Sequence, residues 1–186
     1  MTYQQNLIFE NIHFLKQGIS LLQNISDELY SNNDHPYFTS GAGKHMRHIL
    51  DHYLSFLAGS SGKIDYDART RDPRLESERM YAIARMKDII RGLELQMTLS
   101  AENDGFVSVH SNEGGACSDI SPWCDSTPAR ELQYLVSHTV HHYALIAMIL
   151  RIQGYEPPET FGVAPSTLQY QAALALEKQS QTARHN

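Results

Sequence analysis

The stretch SHTVHHYALI, residues 137–146, places His138, His141 and His142 inside an otherwise apolar segment. Around it, apolar residues recur at the three- and four-residue spacing of one helix face: Leu132, Leu135, Leu145, Ile149 and Ile152. A helix with this spacing buries that face in a protein core. Because buried imidazoles need partners, three of them in such a helix indicate a ligand or a polar network.

Four segments of the chain carry this helical periodicity, and turn signals separate them. They cover about residues 5–31, 40–58, 73–99 and 128–154. The last segment begins at Pro128 after a threonine, which is a favourable N-cap, and it ends at a glycine, which is a favourable C-cap. Four long helices predict an all-α fold, a four-helix bundle, in a single domain over residues 1–186.

The connection between the third and the fourth predicted helix is long and covers residues 103–126. Within it, FVSVHS followed by the turn residues NEGG predicts a small β-hairpin inside a long crossover. Cys117 and Cys124 lie in the same segment, and two cysteines in one loop are expected to be free thiols. After Pro165, a run rich in alanine and leucine predicts a short additional helix.

The composition argues against several classes of function. Fifteen basic against 21 acidic residues give a net charge of −6 without a basic block, so the electrostatic footprint of a nucleic-acid-binding protein is missing. No run of about eighteen apolar residues and no signal-peptide pattern is present, so we expect no membrane contact and a cytoplasmic location. Motifs of NTPases, serine hydrolases and nicotinamide enzymes are also absent from the sequence.

A helical wheel divides the histidines of residues 137–146 into two groups. Successive residues lie about 100° apart, so His138 and His142 share one side of the helix, one turn apart. Glu131 and several apolar residues lie within about 60° of His138, which directs the pair toward the interior. His141 lies to the side and is expected at the edge of a site. The pair predicts two nitrogen ligands for a divalent metal, with a third from a facing helix.

The second predicted helix contains three more histidines in GKHMRHILDHY, namely His45, His48 and His52. The apolar face of this helix is centred away from His48, while His45 and His52 flank its edge. Spacing alone therefore does not decide which of the three contributes the third ligand.

Two segments together resemble a known family: HMRHILDHYLSFL in the second helix and ELQYLVSHTVHHYALI in the fourth. They resemble the DinB-like superfamily of metal-binding four-helix bundles, whose relatives include thiol-dependent transferases and N-terminal domains of ergothioneine-pathway sulfoxide synthases. The resemblance covers nearly the whole chain as one DinB-like domain. It implies a metal site of His48, His138 and His142 and a homodimer that packs through bundle helices. It leaves open whether His52 is a fourth ligand or a hydrogen-bond partner of a ligand.

Such a ligand set implies a particular chemistry. Three neutral imidazoles leave at least one coordination position for water or substrate, which is typical of catalytic metal sites. Zinc or nickel suits these ligands, and iron is also compatible with them. Glu131 is expected to orient a histidine, to accept a proton, or only to interact with the helix dipole. We expect a metal-dependent hydrolase or thiol-dependent transferase acting on a small molecule; the alternative is a non-catalytic metal-binding or stress-response bundle.

The segment YDARTRD, residues 66–72, concentrates charges between the second and the third predicted helix. A substrate clamp is one interpretation of such a cluster. Charged connections between helices are more often solvated networks of salt bridges. We therefore expect a solvated network at this position.

Overall fold

The protein is mostly helical, with a small three-stranded sheet beside the helices. The computed structural model describes residues 2–60, 62–99, 105–111 and 123–184. Its helices are α1 (Tyr3–Asn24), α2 (Asp27–Ser31), α3 (Ala42–Gly59), α4 (Arg74–Ser77), α5 (Arg79–Leu99), α6 (Pro128–Ile152) and α7 (Pro165–Arg184). Its strands are β1 (Lys63–Asp65), β2 (Val107–His110) and β3 (Cys124–Ser126). The helical class expected from the sequence is therefore confirmed, with the sheet as an addition to it.

The long helices α1, α3, α5 and α6 pack around one apolar core. α1 contacts both α5 and α6, and α3 contacts the same two helices. Each of the four contributes fully buried side chains, for example Leu15, Leu50, Met86 and Leu135 in chain order. Burial of such side chains is the main favourable term in folding. The core therefore holds α3 beside α6, the two helices that carry most of the candidate ligands.

Two of the predicted helices are interrupted near one end. The helix predicted over residues 5–31 ends at Asn24, and Ser26 then caps the separate helix α2 with its side chain. The helix predicted over residues 73–99 is divided at Glu78 into α4 and α5. The prediction of continuous helices is wrong at both points. Apolar residues on both sides of each break face the same core, so their spacing does not reveal the interruption.

The helix α6 agrees with the sequence prediction. It begins at Pro128, with the side chain of Thr127 accepting the backbone N–H of Arg130. It ends at Ile152, and Gly154 follows with a φ of 84°, which glycine adopts without strain. By length and composition alone α6 would also be able to cross a membrane, a test that core helices of globular proteins pass as well. Its inward face is buried against α1 and α3.

The sheet joins the crossover to the segment after α3. β1 pairs with β2 in parallel, and β2 pairs with β3 in antiparallel orientation. β2 lies in the FVSVHS stretch, where a strand was predicted, and β3 is its antiparallel partner. The NEGG turn and Cys117 lie outside the described residues, and Cys124 is exposed on β3. Because β1 packs on α3, the loop after β1 lies next to that helix.

A buried network of side-chain hydrogen bonds joins α1, α3 and α6. Asn11 on α1 donates to a backbone carbonyl of α6 at 3.0 Å and accepts the hydroxyl of Tyr53 on α3 at 2.8 Å. Thr139 on α6 donates to the same hydroxyl at 3.2 Å. All three side chains are fully buried. Tyr53 follows His52 and Thr139 follows His138 in the sequence, so the network fixes the rotation of both histidine-bearing helices.

Replacing Tyr53 by Phe is expected to lower the free energy of unfolding by about 1–3 kcal/mol, because Asn11 and Thr139 lose their buried partner. Urea unfolding followed by circular dichroism measures this change. Tyr3→Phe is the control, at a position that is 63% exposed. It should change stability by less than about 0.5 kcal/mol. Equal effects of the two substitutions would contradict a stabilising role of the network.

Candidate metal centre

Three histidines from two helices converge at one point. They are His48 on α3 and His138 and His142 on α6, and one ring nitrogen of each lies within 4.8 Å of the others. His48 Nε2 and His138 Nε2 are 3.1 Å apart. All three side chains are half-buried, which leaves the group accessible from solvent. The structure thus brings together the three residues that the family resemblance implied.

The geometry of this group is compatible with a divalent metal. Zinc binds imidazole nitrogens at about 2.0–2.1 Å in a tetrahedral arrangement, which places two ligand nitrogens about 3.3 Å apart. The 3.1 Å between the Nε2 atoms of His48 and His138 is close to that separation. His138 Nδ1 is buried and has no hydrogen-bond partner among the described residues. The polar interaction that orients this imidazole is therefore on its Nε2 side, where a metal would lie.

Two further histidines contact the ring of His142. His45 Nδ1 lies 3.0 Å from His142 Nδ1, and the ring of His141 packs edge-on with a centroid distance of 5.0 Å. Because His45 engages Nδ1, the nitrogen of His142 that remains for a metal is Nε2. His141 is exposed and lies at the edge of the cluster, where the wheel placed it. His45, which spacing left open, is the hydrogen-bond partner of His142.

His52 belongs to the cluster but is not one of the three converging histidines. Its Nδ1 donates to the backbone carbonyl oxygen of His48 at 2.8 Å, since a carbonyl only accepts. Its ring stacks on Tyr66 at a centroid distance of 5.2 Å and lies 4.1 Å from the ring of His138. Two roles were left open for His52, fourth ligand or hydrogen-bond partner of a ligand, and its hydrogen bond to His48 favours the second.

Glu131 is buried in the first turn of α6 and is joined to the cluster through Tyr66. Its carboxylate accepts the Tyr66 hydroxyl at 2.9 Å and the Ser126 hydroxyl at 2.6 Å. Burial, followed by the Glu131 carboxylate, raises the pKa of Tyr66, which therefore remains a hydroxyl donor. Since the ring of Tyr66 stacks on His52, Glu131 orients a histidine indirectly.

Arg69 reaches the cluster from the loop after β1. Its Nη1 lies 3.3 Å from His48 Nδ1 and 3.4 Å from His52 Nδ1. The Asp65 carboxylate at the end of β1 accepts two backbone N–H groups of this loop, at 2.9 and 3.0 Å, and so turns the chain back toward α3. The parallel pairing of β1 with β2 anchors the start of the turn.

The expected solvated network in residues 66–72 is present only in part. Asp72 forms an ion pair with Arg74 at 2.7 Å and accepts the Tyr81 hydroxyl at 3.0 Å. Arg69 is instead half-buried and directed at imidazoles, so the interpretation of this residue as a solvated salt-bridge partner is wrong. The sequence gives no signal for this contact until β1 is placed beside α3.

Comparison with known proteins gives the family of the chain. Residues 15–173 match the sequence model of the DinB family. The chain belongs to the DinB family. It is also similar to the FK506-binding protein 5 of Rhizopus delemar, with 33% identity over 108 residues. That match covers 58% of this chain and only 27% of the fungal protein, so the chain spans a small part of that relative.

Burial lowers the pKa of the clustered histidines of this DinB-family protein. The pKa falls to about 4 for His48 and His52, to about 3 for His142 and to about 2 for His138. Burial is the largest cause in each case, and positive charge on neighbouring histidines or on Arg69 lowers the pKa further. The imidazoles are therefore neutral at neutral pH, which is the form that binds metals.

The stability of the metal-free protein should consequently depend on pH. An imidazole whose pKa is lowered by folding binds its proton more readily in the unfolded chain, so protonation favours unfolding. We expect the free energy of unfolding to be highest above the ordinary histidine pKa of 6.5 and to fall as the pH decreases from there to about 4. Urea unfolding at a series of pH values measures this dependence.

Two substitutions provide the comparison for this pH series. His138→Gln removes one strongly shifted imidazole and should flatten the dependence. His13→Gln, at an exposed position of α1 outside the cluster, should leave it unchanged. A free energy of unfolding that stays constant from about pH 7 to about pH 4 would show that the cluster is not held in the neutral form.

Proposed function

We propose that this DinB-family protein is a four-helix bundle that binds a divalent transition metal through His48, His138 and His142. The observation that carries the proposal is the convergence of three ring nitrogens, from α3 and α6, within 4.8 Å. The lowered pKa values support it, because no proton has to be displaced at neutral pH. We expect zinc or nickel, and iron is also compatible with three imidazoles.

We infer a catalytic rather than a structural role for the metal. Three imidazoles leave at least one coordination position open, and the half-buried ligands leave that position accessible to a small molecule. A metal bound there supplies a Lewis acid and lowers the pKa of a bound water or thiol. The reaction classes that suit this arrangement are hydrolysis and thiol-dependent group transfer.

The chain's own groups hold the proposed ligands in place. His45 bonds Nδ1 of His142 and so directs the other ring nitrogen toward the group. On the opposite side, Glu131 holds the Tyr66 hydroxyl, and Tyr66 stacks on His52. His52 in turn packs on the ring of His138. Partners of this kind fix the orientation of metal-binding imidazoles and raise the affinity for the metal.

A second candidate function is that of a non-catalytic metal-binding or stress-response bundle. The observation in its favour is that the three histidines come from two different helices, so a bound metal would also join α3 to α6. The two functions differ in how strongly the fold depends on the metal.

Purified, untagged protein is expected to contain about one divalent transition metal per chain, because a single three-histidine group forms the proposed site. Elemental analysis and zinc titration measure this content. His138→Ala and His142→Ala should each remove most of the affinity, since each removes a ligand. His141→Ala is the matched control on the same helix and should change the affinity little, because His141 is exposed at the edge.

Under the same proposal, the metal affinity of His45→Ala should lie between that of the ligand variants and that of His141→Ala. Loss of the partner of His142 should weaken metal binding by about 10–100-fold, without removing a ligand. Equal losses in the His141 and His142 variants, or a protein that takes up neither zinc nor nickel, would rule out the proposed site.

Removing the metal with a chelator should lower the melting temperature moderately and leave the protein folded. The reason is that the apolar core of the long helices is complete without the histidines. Thermal unfolding of metal-free and metal-loaded protein measures the difference. Metal-free protein that is unfolded at room temperature would favour the structural role. A cobalt-substituted protein whose visible spectrum is indifferent to 2-mercaptoethanol would argue against an open coordination position.

A further inference from the structure

The charge around the histidine cluster is unbalanced in favour of positive groups. The imidazoles are neutral, and the Arg69 guanidinium contacts two of them. The nearby carboxylates are occupied elsewhere: Asp51 pairs with Arg47 at 3.0 Å, and Glu131 binds two hydroxyl groups. Asp67, whose charge acts on His52, lies 3.5 Å from His110 Nδ1. Within residues 2–60, 62–99, 105–111 and 123–184, no carboxylate forms an ion pair with Arg69. A divalent metal at the three histidines would add two more positive charges that no ligand neutralises.

Arg69 has hydrogen-bonding capacity that the described part of the protein does not use. Its Nη1 faces the histidines, while its Nε is buried and has no hydrogen-bond partner there. A buried N–H of a charged group without an acceptor is costly. A guanidinium has five N–H donors and binds carboxylates through short, charge-assisted hydrogen bonds, so Arg69 has donors to offer besides the one that contacts the histidines.

The contact between Arg69 and His48 would also be unfavourable in the metal-bound protein. His48 faces His138 through Nε2 and Arg69 through Nδ1, at 3.1 and 3.3 Å. Coordination of a metal through Nε2 leaves the ring proton on Nδ1. The guanidinium and Nδ1 would then face each other as two donors, so an anion is a better partner for Arg69 than His48 is.

We propose that Arg69 forms an anion-binding subsite beside the metal centre and holds the carboxylate group of a small substrate. The inference rests on the proposed metal binding. Room for the rest of such a substrate exists nearby, because Arg69 lines a cleft of about 490 Å³ between α3, β1, the following loop and α5. Three carboxylates also line the cleft, but each is engaged elsewhere: Asp51 by Arg47, Asp65 by two backbone N–H groups and Asp72 by Arg74. Arg85 lines the cleft as well and is bonded to Asp88.

The alternative is that Arg69 only fastens its loop to α3. In that case its replacement would lower the melting temperature or the metal affinity but would not change how the metal-loaded protein responds to anions. The two roles therefore predict different results in one titration.

The experiment uses the cobalt-loaded full chain as wild type, Arg69→Gln, Arg69→Lys and Arg85→Gln. Cobalt content and melting temperature are measured first for all four proteins. Acetate, its neutral analogue acetamide, and inorganic phosphate are then titrated while the visible spectrum of the cobalt is recorded. Arg85→Gln is the matched control, because it removes a positive charge from the same cleft and Arg85 is bonded to Asp88 rather than to the histidines.

The visible spectrum of the cobalt-loaded wild type should change when acetate is added and not when acetamide is added. Arg69→Gln should weaken the apparent affinity for acetate about tenfold or more, because a charged hydrogen-bond donor is lost. The acetate affinity of Arg69→Lys should lie between those of the wild type and Arg69→Gln, since lysine keeps the charge but not the planar set of donors. The acetate affinity of Arg85→Gln should match that of the wild type.

Several results would overturn the inference and can be distinguished from one another. Equal acetate affinities in wild type and Arg69→Gln, or equal losses in Arg69→Gln and Arg85→Gln, would exclude a specific role of Arg69 while leaving the metal site intact. A stronger dependence on Arg69 for phosphate than for acetate would exclude a carboxylate as the preferred ligand. A wild-type protein that takes up no cobalt would overturn the metal site itself and this inference with it.

Discussion

The rotation of α3 and α6 about their own axes is the constraint on which the histidine cluster depends. Asn11 bonds both helices from α1, and its carboxamide presents donor and acceptor in fixed directions. A helix turned by one residue, about 100°, would leave these groups unpaired in the core, which is costly. Tyr53 and Thr139 occupy positions next to clustered histidines, so satisfying the network also sets the direction of the imidazoles.

The cluster itself departs from the rules that govern the rest of the interior. Around it, apolar side chains are buried, whereas the cluster brings imidazoles and a guanidinium together and leaves His138 Nδ1 and Arg69 Nε buried without a partner among the described residues. Such departures are characteristic of functional sites, where the surrounding structure must hold an arrangement that is unfavourable by itself. The apolar core and the Asn11 network supply that support from one side, and the sheet with its following loop supplies it from the other.

The sequence predicted the helical class and the course of α6 well, because helical periodicity and an N-cap threonine act locally. It also predicted which face of α6 carries His138 and His142. It did not distinguish His48 from its neighbours on α3. The apolar face is centred away from His48, His45 and His52 flank its edge, and only the position of α6 decides which of them contact His138 and His142. The position of Arg69 was missed for a similar reason: it depends on a parallel strand pair between segments more than 40 residues apart in sequence. The role of the histidines as metal ligands remains a prediction.

The wide separation of the histidines along the chain has a consequence for biosynthesis. His48 and His138 are 90 residues apart, which corresponds to roughly 5–18 s of translation at about 5–20 residues per second. During that interval α3 has already been synthesised, but α6, which covers one of its sides, has not. The nascent chain therefore exposes an apolar face together with three histidines. The complete three-histidine group cannot form until α6 has left the ribosome, so it assembles as one of the last steps in the maturation of the protein.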